Sequence, residues 1–327
     1  MQKILKKAFI FIFILGTLTT STVNATSCSN DGHSDKFSIV TTIFPQYDWV
    51  KQILGDKIDD VELTLLLDNG VDLHSYQPTA ADIVTVSTCD MFIYVGGHSD
   101  EWVEDVLKQA TNVDMTRVNL MDVLGDAVKE EEIVGGMEHE EEGEHGHVHE
   151  DDEHVWLSLL NAKTICEEIA NKLNVIDPVN AETYSANLAF YCEQLTSLHD
   201  EYKQAVEEAT VKTLLFGDRF SFRYLVDDYG IEYYAAFSGC SAESEASFET
   251  IAFLAEKVDE LGLGAVVKLE GSEGKLAQTI VNTTTAKNAK ILTMDSMQSV
   301  TAKDVADGVT YLSVMQKNLT VLKEALR

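Results

Sequence analysis

Two hydrophobic periods alternate along the chain. Short apolar runs rich in Val, Ile and Phe stand at residues 37–43 (FSIVTTI), 61–67 (VELTLLL), 91–95 (MFIYV) and, more weakly, 117–120 (RVNL). A second set stands at 213–216 (TLLF), 231–236 (IEYYAA), 265–269 (AVVKL) and 290–294 (KILTM). Runs of this length and composition predict strands. Between them, helical patterns fall near residues 47–54, 79–86, 100–110, 223–229, 248–261 and 274–287. Strands alternating with helices, without hairpin turn pairs, predict parallel sheets covered on both faces. The expected fold class is α/β, with one lobe over residues 37–177 and a second over 210–327.

The segment between the halves differs. Asp177-Pro178 opens a pattern running over residues 180–209 without Gly or further Pro. Proline near a helix start is favourable because its missing N–H would be unpaired there anyway. Leu188, Tyr191, Leu195, Leu198 and Tyr202 recur at three- and four-residue steps, enough to pack one face along both lobes;. Residues 178–209 are therefore expected to form one linking helix, a stiffer joint than paired flexible strands.

Charge narrows the function. The 327 residues carry 24 Lys+Arg against 55 Asp+Glu, a formal −31. Such a field repels phosphate backbones and attracts cations, so nucleic acid is a poor partner. The first residues are set aside as a leader. MQKILKK is basic and residues 8–18 form an apolar run of 11, too short to span a bilayer;. Residues 1–27 read as a secretory signal and 28–36 as a polar tether, with Cys28 in a lipobox-like ATSC that lacks the usual Leu. An exported protein held by a lipid on Cys28 at the outer membrane face is expected. Cys89, Cys166, Cys192 and Cys240 remain; they show no C-x-x-C spacing, which argues against a thiolate zinc site and leaves buried thiols or one disulfide;.

One segment breaks the globular pattern. Residues 130–153 hold 12 acids and four histidines (His139, His145, His147, His149) with no periodic apolar face, so a mobile surface loop is expected;. Interleaved imidazoles and carboxylates suit borderline divalent cations, and these four are read as an auxiliary metal-collecting tract. Sharper signals sit after predicted strands: Asp72-x-His74-x-Tyr76-x-Pro78 past the second strand, and DDEHVWLS with His154 and Trp156. The carboxyl ends of parallel strands are where open α/β sheets bind ligands.

GVDLHSYQP, EHVWLS, FRYLVDDYG (residues 222–230) and the Asp-Pro-initiated helix, in this order, resemble the zinc/manganese-binding solute-binding proteins of ABC importers. The resemblance implies two α/β lobes on one rigid helix, a single metal in the cleft, delivery to an ABC permease, and a monomer. It puts ligands on His74, His154 and Asp295, the last in LTMDSMQ. The family's third ligand position falls on Arg219, a side chain that cannot ligate a metal, so Asp218 is the substitute and Glu270 the reserve oxygen donor;. Zn2+ is favoured by the paired imidazoles and the His-rich tract, with Mn2+ the alternative. A zinc hydrolase using Glu270 as base, or an extracellular metal buffer or adhesin, are the competing classes. No H-E-x-x-H, nucleophile elbow or phosphate loop supports an enzyme;.

Overall fold

All eight expected strands form, four to a sheet. A computed structural model describes residues 36–137, 150–241 and 245–327. In the first sheet β1 (Phe37–Thr41) pairs with β2 (Val61–Leu65) on one side and β3 (Met91–Tyr94) on the other, and β4 (Thr116–Asn119) lies outside β3. The second repeats that order: β5 (Thr213–Arg219) lies between β6 (Glu232–Phe237) and β7 (Ala265–Leu269), with β8 (Lys290–Met294) outside β7. Every pairing is parallel. Composition explains the positions. Of the four edge strands, β2 and β8 carry Glu62, Thr64, Lys290 and Thr293 and stay partly exposed, whereas the inner strands β1, β3, β5 and β7 are mostly buried;. In both sheets the chain reverses direction of travel beside the first strand, which opens a crevice at the carboxyl ends.

Helices α1 (Phe44–Leu54), α2 (Ala80–Thr88), α3 (Glu101–Lys108) and α4 (Leu120–Leu124) serve the first lobe. The linking helix α6 (Ala181–Glu207) follows α5 (Leu159–Ile176), which lies outside the expected helical patterns. Its 27 residues span about 40 Å at 1.5 Å per residue. Tyr184, Tyr191, Leu195, Leu198, Tyr202 and Val206 are its buried stripe. That stripe meets α1 and α5 of the first lobe and the closing helix α11 (Tyr311–Ala325) of the second. The second lobe is completed by α7 (Arg223–Tyr229), α8 (Phe248–Leu261), α9 (Lys275–Thr283) and α10 (Ala302–Ala306).

One hydrophobic core runs through both sheets and α6, and polar bonds stitch the same seam. Tyr311 N donates to Asp48 Oδ2 (2.9 Å), Tyr311 Oη to Trp156 O (2.7 Å) and Trp156 Nε1 to Ser296 O (2.8 Å). The FRYLVDDYG segment contributes most of its polar residues here. Tyr224 Oη donates to Asp152 O (2.7 Å), Asp227 pairs with Lys129 (2.5 Å) and Asp228 accepts from Ser158 Oγ (2.6 Å). Tyr229 stacks on Tyr202 of α6. Cys89, Cys166, Cys192 and Cys240 are all free thiols.

Burial pushes the Asp228 carboxyl up to about 6, although the Ser158 hydrogen bond pulls it down. The folded state therefore holds this proton to higher pH than the unfolded chain does. Its stabilisation is full below about pH 4 and is lost as pH rises through about 6. Asp228→Asn is expected to flatten that part of the profile, which amounts to at most about 3 kcal/mol for two pKa units. Urea midpoints of both proteins between pH 4 and pH 7 check this; parallel curves would contradict it.

Candidate metal centre

His74 sits in a single 3-10 turn, Leu73–Ser75, beyond the carboxyl end of β2. Asp72 caps that turn: its Oδ1 accepts from His74 N (3.0 Å), and its Oδ2 receives the Arg219 guanidinium at 2.7 Å. Burial would raise the Asp72 carboxyl, but the charges of Arg219 and then His74 outweigh it and hold it below the usual range. Arg219, at the end of β5, is thus a cross-lobe clamp on the His74 turn, the structural role open to it from its charge.

His154 is wholly buried. Asp152 Oδ1 accepts from both His154 N (2.8 Å) and the ring Nδ1 (3.0 Å). Asp152 is itself placed by the base of the acidic segment, which is ordered rather than loose as expected: Glu130 bridges Asp151, Glu131 N donates to Glu150 O (2.8 Å) and Asp152 N to Lys129 O (2.8 Å). His139, His145, His147 and His149 lie outside the described residues.

The two rings meet. His74 Nε2 stands 3.2 Å from His154 Nε2. Each ring's other nitrogen is already engaged. Ser99 Oγ gives its proton to Glu153 Oε2 and so accepts from His74 Nδ1 (2.8 Å), with the Glu153 carboxylate itself at 3.3 Å. The Asp152 carboxylate fixes the His154 Nδ1 proton in the same way. With the Nδ1 positions so engaged, both Nε2 atoms face one point, where a cation would take their lone pairs. In a tetrahedral zinc site with Zn–N near 2.05 Å, two nitrogens are about 3.3 Å apart. Carboxylate-backed imidazoles are the usual way to fix ring orientation at such a site.

Around this pair, Gln298 Nε2 approaches His154 Nε2 at 3.3 Å, and Cys240 brings its thiol close. Among the described residues, His74, His154 and Cys240 form the sole group of three or more His, Cys, Asp or Glu whose ligand atoms lie within 4.8 Å of one another. The expected carboxylates are not in that group. Asp218 accepts from Arg219 N (3.0 Å) with one oxygen and from Leu269 N (3.2 Å) with the other, so it knits β5 to β7. Asp295 Oδ1 accepts from Met297 N at 2.8 Å, and burial together with the Glu270 charge pushes its carboxyl up to about 6. Glu270 accepts from Ser296 N (2.7 Å), Ser296 Oγ (2.7 Å) and Gln298 N (3.3 Å). Rather than a reserve ligand or a partner for lysine, it holds residues 296–298 against His154.

Burial disfavours protonated His154, yet the Asp152 charge and hydrogen bond, then Glu153, outweigh it and the ring's pKa rises. A proton is thus the natural competitor for the cation. Burial, then the Glu131 charge, pushes the Cys240 thiol well up, so without a metal it stays protonated. Sequence reasoning missed Cys240, Gln298 and the orienting trio Ser99, Asp152 and Glu153; only the two carboxylates just before His154 carried any signal, as acids flanking a histidine.

Residues 39–325 match the family model described as ZnuA, zinc-uptake complex component A, periplasmic. The chain is 33% identical over 304 residues to the zinc-binding lipoprotein AdcA of Streptococcus pneumoniae, covering 91% of this chain. It spans only 58% of that relative's length. The high-affinity zinc uptake system protein ZnuA of Bacillus subtilis is 29% identical over 308 residues, covering 93% of this chain and 92% of the relative. Among solved structures, the Zn(II)-bound ZnuA-like domain of Streptococcus pneumoniae AdcA is similar with a TM-score of 0.69 and 29% identity, covering 89% of this chain and 99% of the other.

Proposed function

We propose, from the premise that the chain belongs to the ZnuA family of zinc-uptake components, that it is an extracytoplasmic receptor that binds one Zn2+ between His74 and His154 for delivery to an ABC importer. The observation that carries this reading is the 3.2 Å convergence of two Nε2 atoms whose partner nitrogens are pinned by Ser99, Glu153 and Asp152. Imidazole pairs suit zinc better than manganese, and the relatives in Streptococcus pneumoniae and Bacillus subtilis are named for zinc;. The leader and Cys28 fit export and lipid attachment, which would keep the receptor beside its permease. The tract at His139, His145, His147 and His149 would collect ions weakly and raise their local concentration at the cleft. A hydrolase needs a free base at the metal; Glu270 is instead saturated by residues 296–298.

Because His154 holds a proton more firmly than usual, zinc affinity should rise as pH rises from about 5.5 towards 8, by one decade per unit for each proton displaced. Competitive titration against a chelator across that range tests it. One tight zinc per chain with that slope is expected; no tight zinc, or a pH-independent affinity, would overturn the reading.

A further inference from the structure

We propose that Cys240 is the third zinc ligand, a thiolate supplied by the second lobe, so that the site is a His-His-Cys centre. This rests on the zinc-receptor reading above and deepens it. The three ligand atoms lie within 4.8 Å of one another, and the backbone is built to bring the thiol in. Gly239, just before it, lies flush against the His154 ring: a Cβ there would stand 2.9 Å from His154 Cε1 and 2.7 Å from Phe220 O. Cys240 N donates to Glu131 Oε1 (3.1 Å), which ties the segment across to the base of the acidic loop. No donor comes from the end of β5, where Arg219 is committed to Asp72 and Asp218 to Leu269 N.

A second, independent observation points to a ligand at the same place. Gln298 is 6% exposed, its amide lies against His154 Nε2 and Ser296 Oγ, and its Oε1 has no hydrogen-bond partner. A buried amide oxygen left unpaired is costly, and a half-turn of the amide exchanges Oε1 with the nitrogen that faces His154. A cation held by Nε2, Nε2 and Sγ gives that oxygen its partner.

The chemistry balances simply. Zn2+ forms a Zn–S bond with Cys240, and the S–H bond releases one proton to solvent, with no change of oxidation state. A soft thiolate beside two imidazoles selects zinc over manganese.

The test is X-ray absorption and cobalt spectroscopy on the purified protein loaded with one equivalent of Zn2+ or Co2+. Wild type should show one sulfur at about 2.3 Å from zinc, a thiolate-to-cobalt charge-transfer band, and zinc affinity weakened on the order of 100-fold in Cys240→Ser. Cys192→Ser, a change in a half-buried thiol away from the site, should keep the band. Cys240→Ala, with its metal-free unfolding midpoint measured alongside, separates ligand loss from misfolding. Tight zinc with only nitrogen and oxygen neighbours, and unchanged affinity in Cys240→Ser, would overturn the thiolate while leaving the zinc receptor standing. Absence of tight zinc from wild type would overturn both.

Discussion

Replacing His154 by alanine is expected to weaken zinc binding by two to three decades. Closed zinc sites are worth about 10–16 kcal/mol across four ligands, so one ligand carries about 2.5–4 kcal/mol. The loss should exceed that of any orienting residue nearby. Asp152→Asn keeps the ring and its volume but removes the charge that fixes the Nδ1 proton at 3.0 Å, and a 10–100-fold loss is expected of such a partner. Chelator-competition titrations of both variants at constant pH rank the effects. Equal losses in the two, or none in His154→Ala, would contradict the geometry.

Trp156→Ala should give the largest loss of stability. The indole is fully buried, its Nε1 donates to Ser296 O (2.8 Å), its ring lies 5.3 Å from His154, and its own carbonyl receives Tyr311 Oη (2.7 Å). Deleting a buried tryptophan costs about 3–5 kcal/mol through lost transfer energy and the cavity left behind, against a typical total of about 5–15 kcal/mol. Trp156→Phe keeps most of the apolar burial and strands one carbonyl, a loss of about 1–3 kcal/mol. Urea unfolding of the metal-free proteins should order them wild type, Phe, Ala. Because residue 156 bonds the backbone at Ser296, two residues from Gln298, zinc affinity should fall in the alanine variant as well.

The strands were legible because each is a short apolar run, and the edge strands β2 and β8 betray themselves by polar residues such as Glu62 and Thr293. The linking helix was legible from its stripe, its ends falling at Ala181 and Glu207 rather than at residues 178 and 209. Helix α5 was not noted although Ile165, Ile169 and Leu173 bury one face of it; it lies next to the longer, more conspicuous helix. His74 and His154 were readable as histidines in acid- and aromatic-flanked motifs after strands. Cys240 was not, since a ligand 86 residues beyond His154 has no spacing rule and its closeness comes from the meeting of two lobes. Asp218 and Asp295 were drawn by position at strand ends, but strand ends also need carboxylates to cap backbone N–H groups left without a ladder partner, which is the work both do at Leu269, Arg219 and Met297. Arg219 shows the converse: a residue useless to a metal was placed where it clamps Asp72 and the His74 turn.

The most direct measurement is anomalous diffraction at the zinc edge from crystals grown with one equivalent of Zn2+. The account predicts one strong peak about 2.0–2.1 Å from Nε2 of both His74 and His154. A tightly held zinc elsewhere, with the two imidazoles still facing each other unbridged, would contradict it.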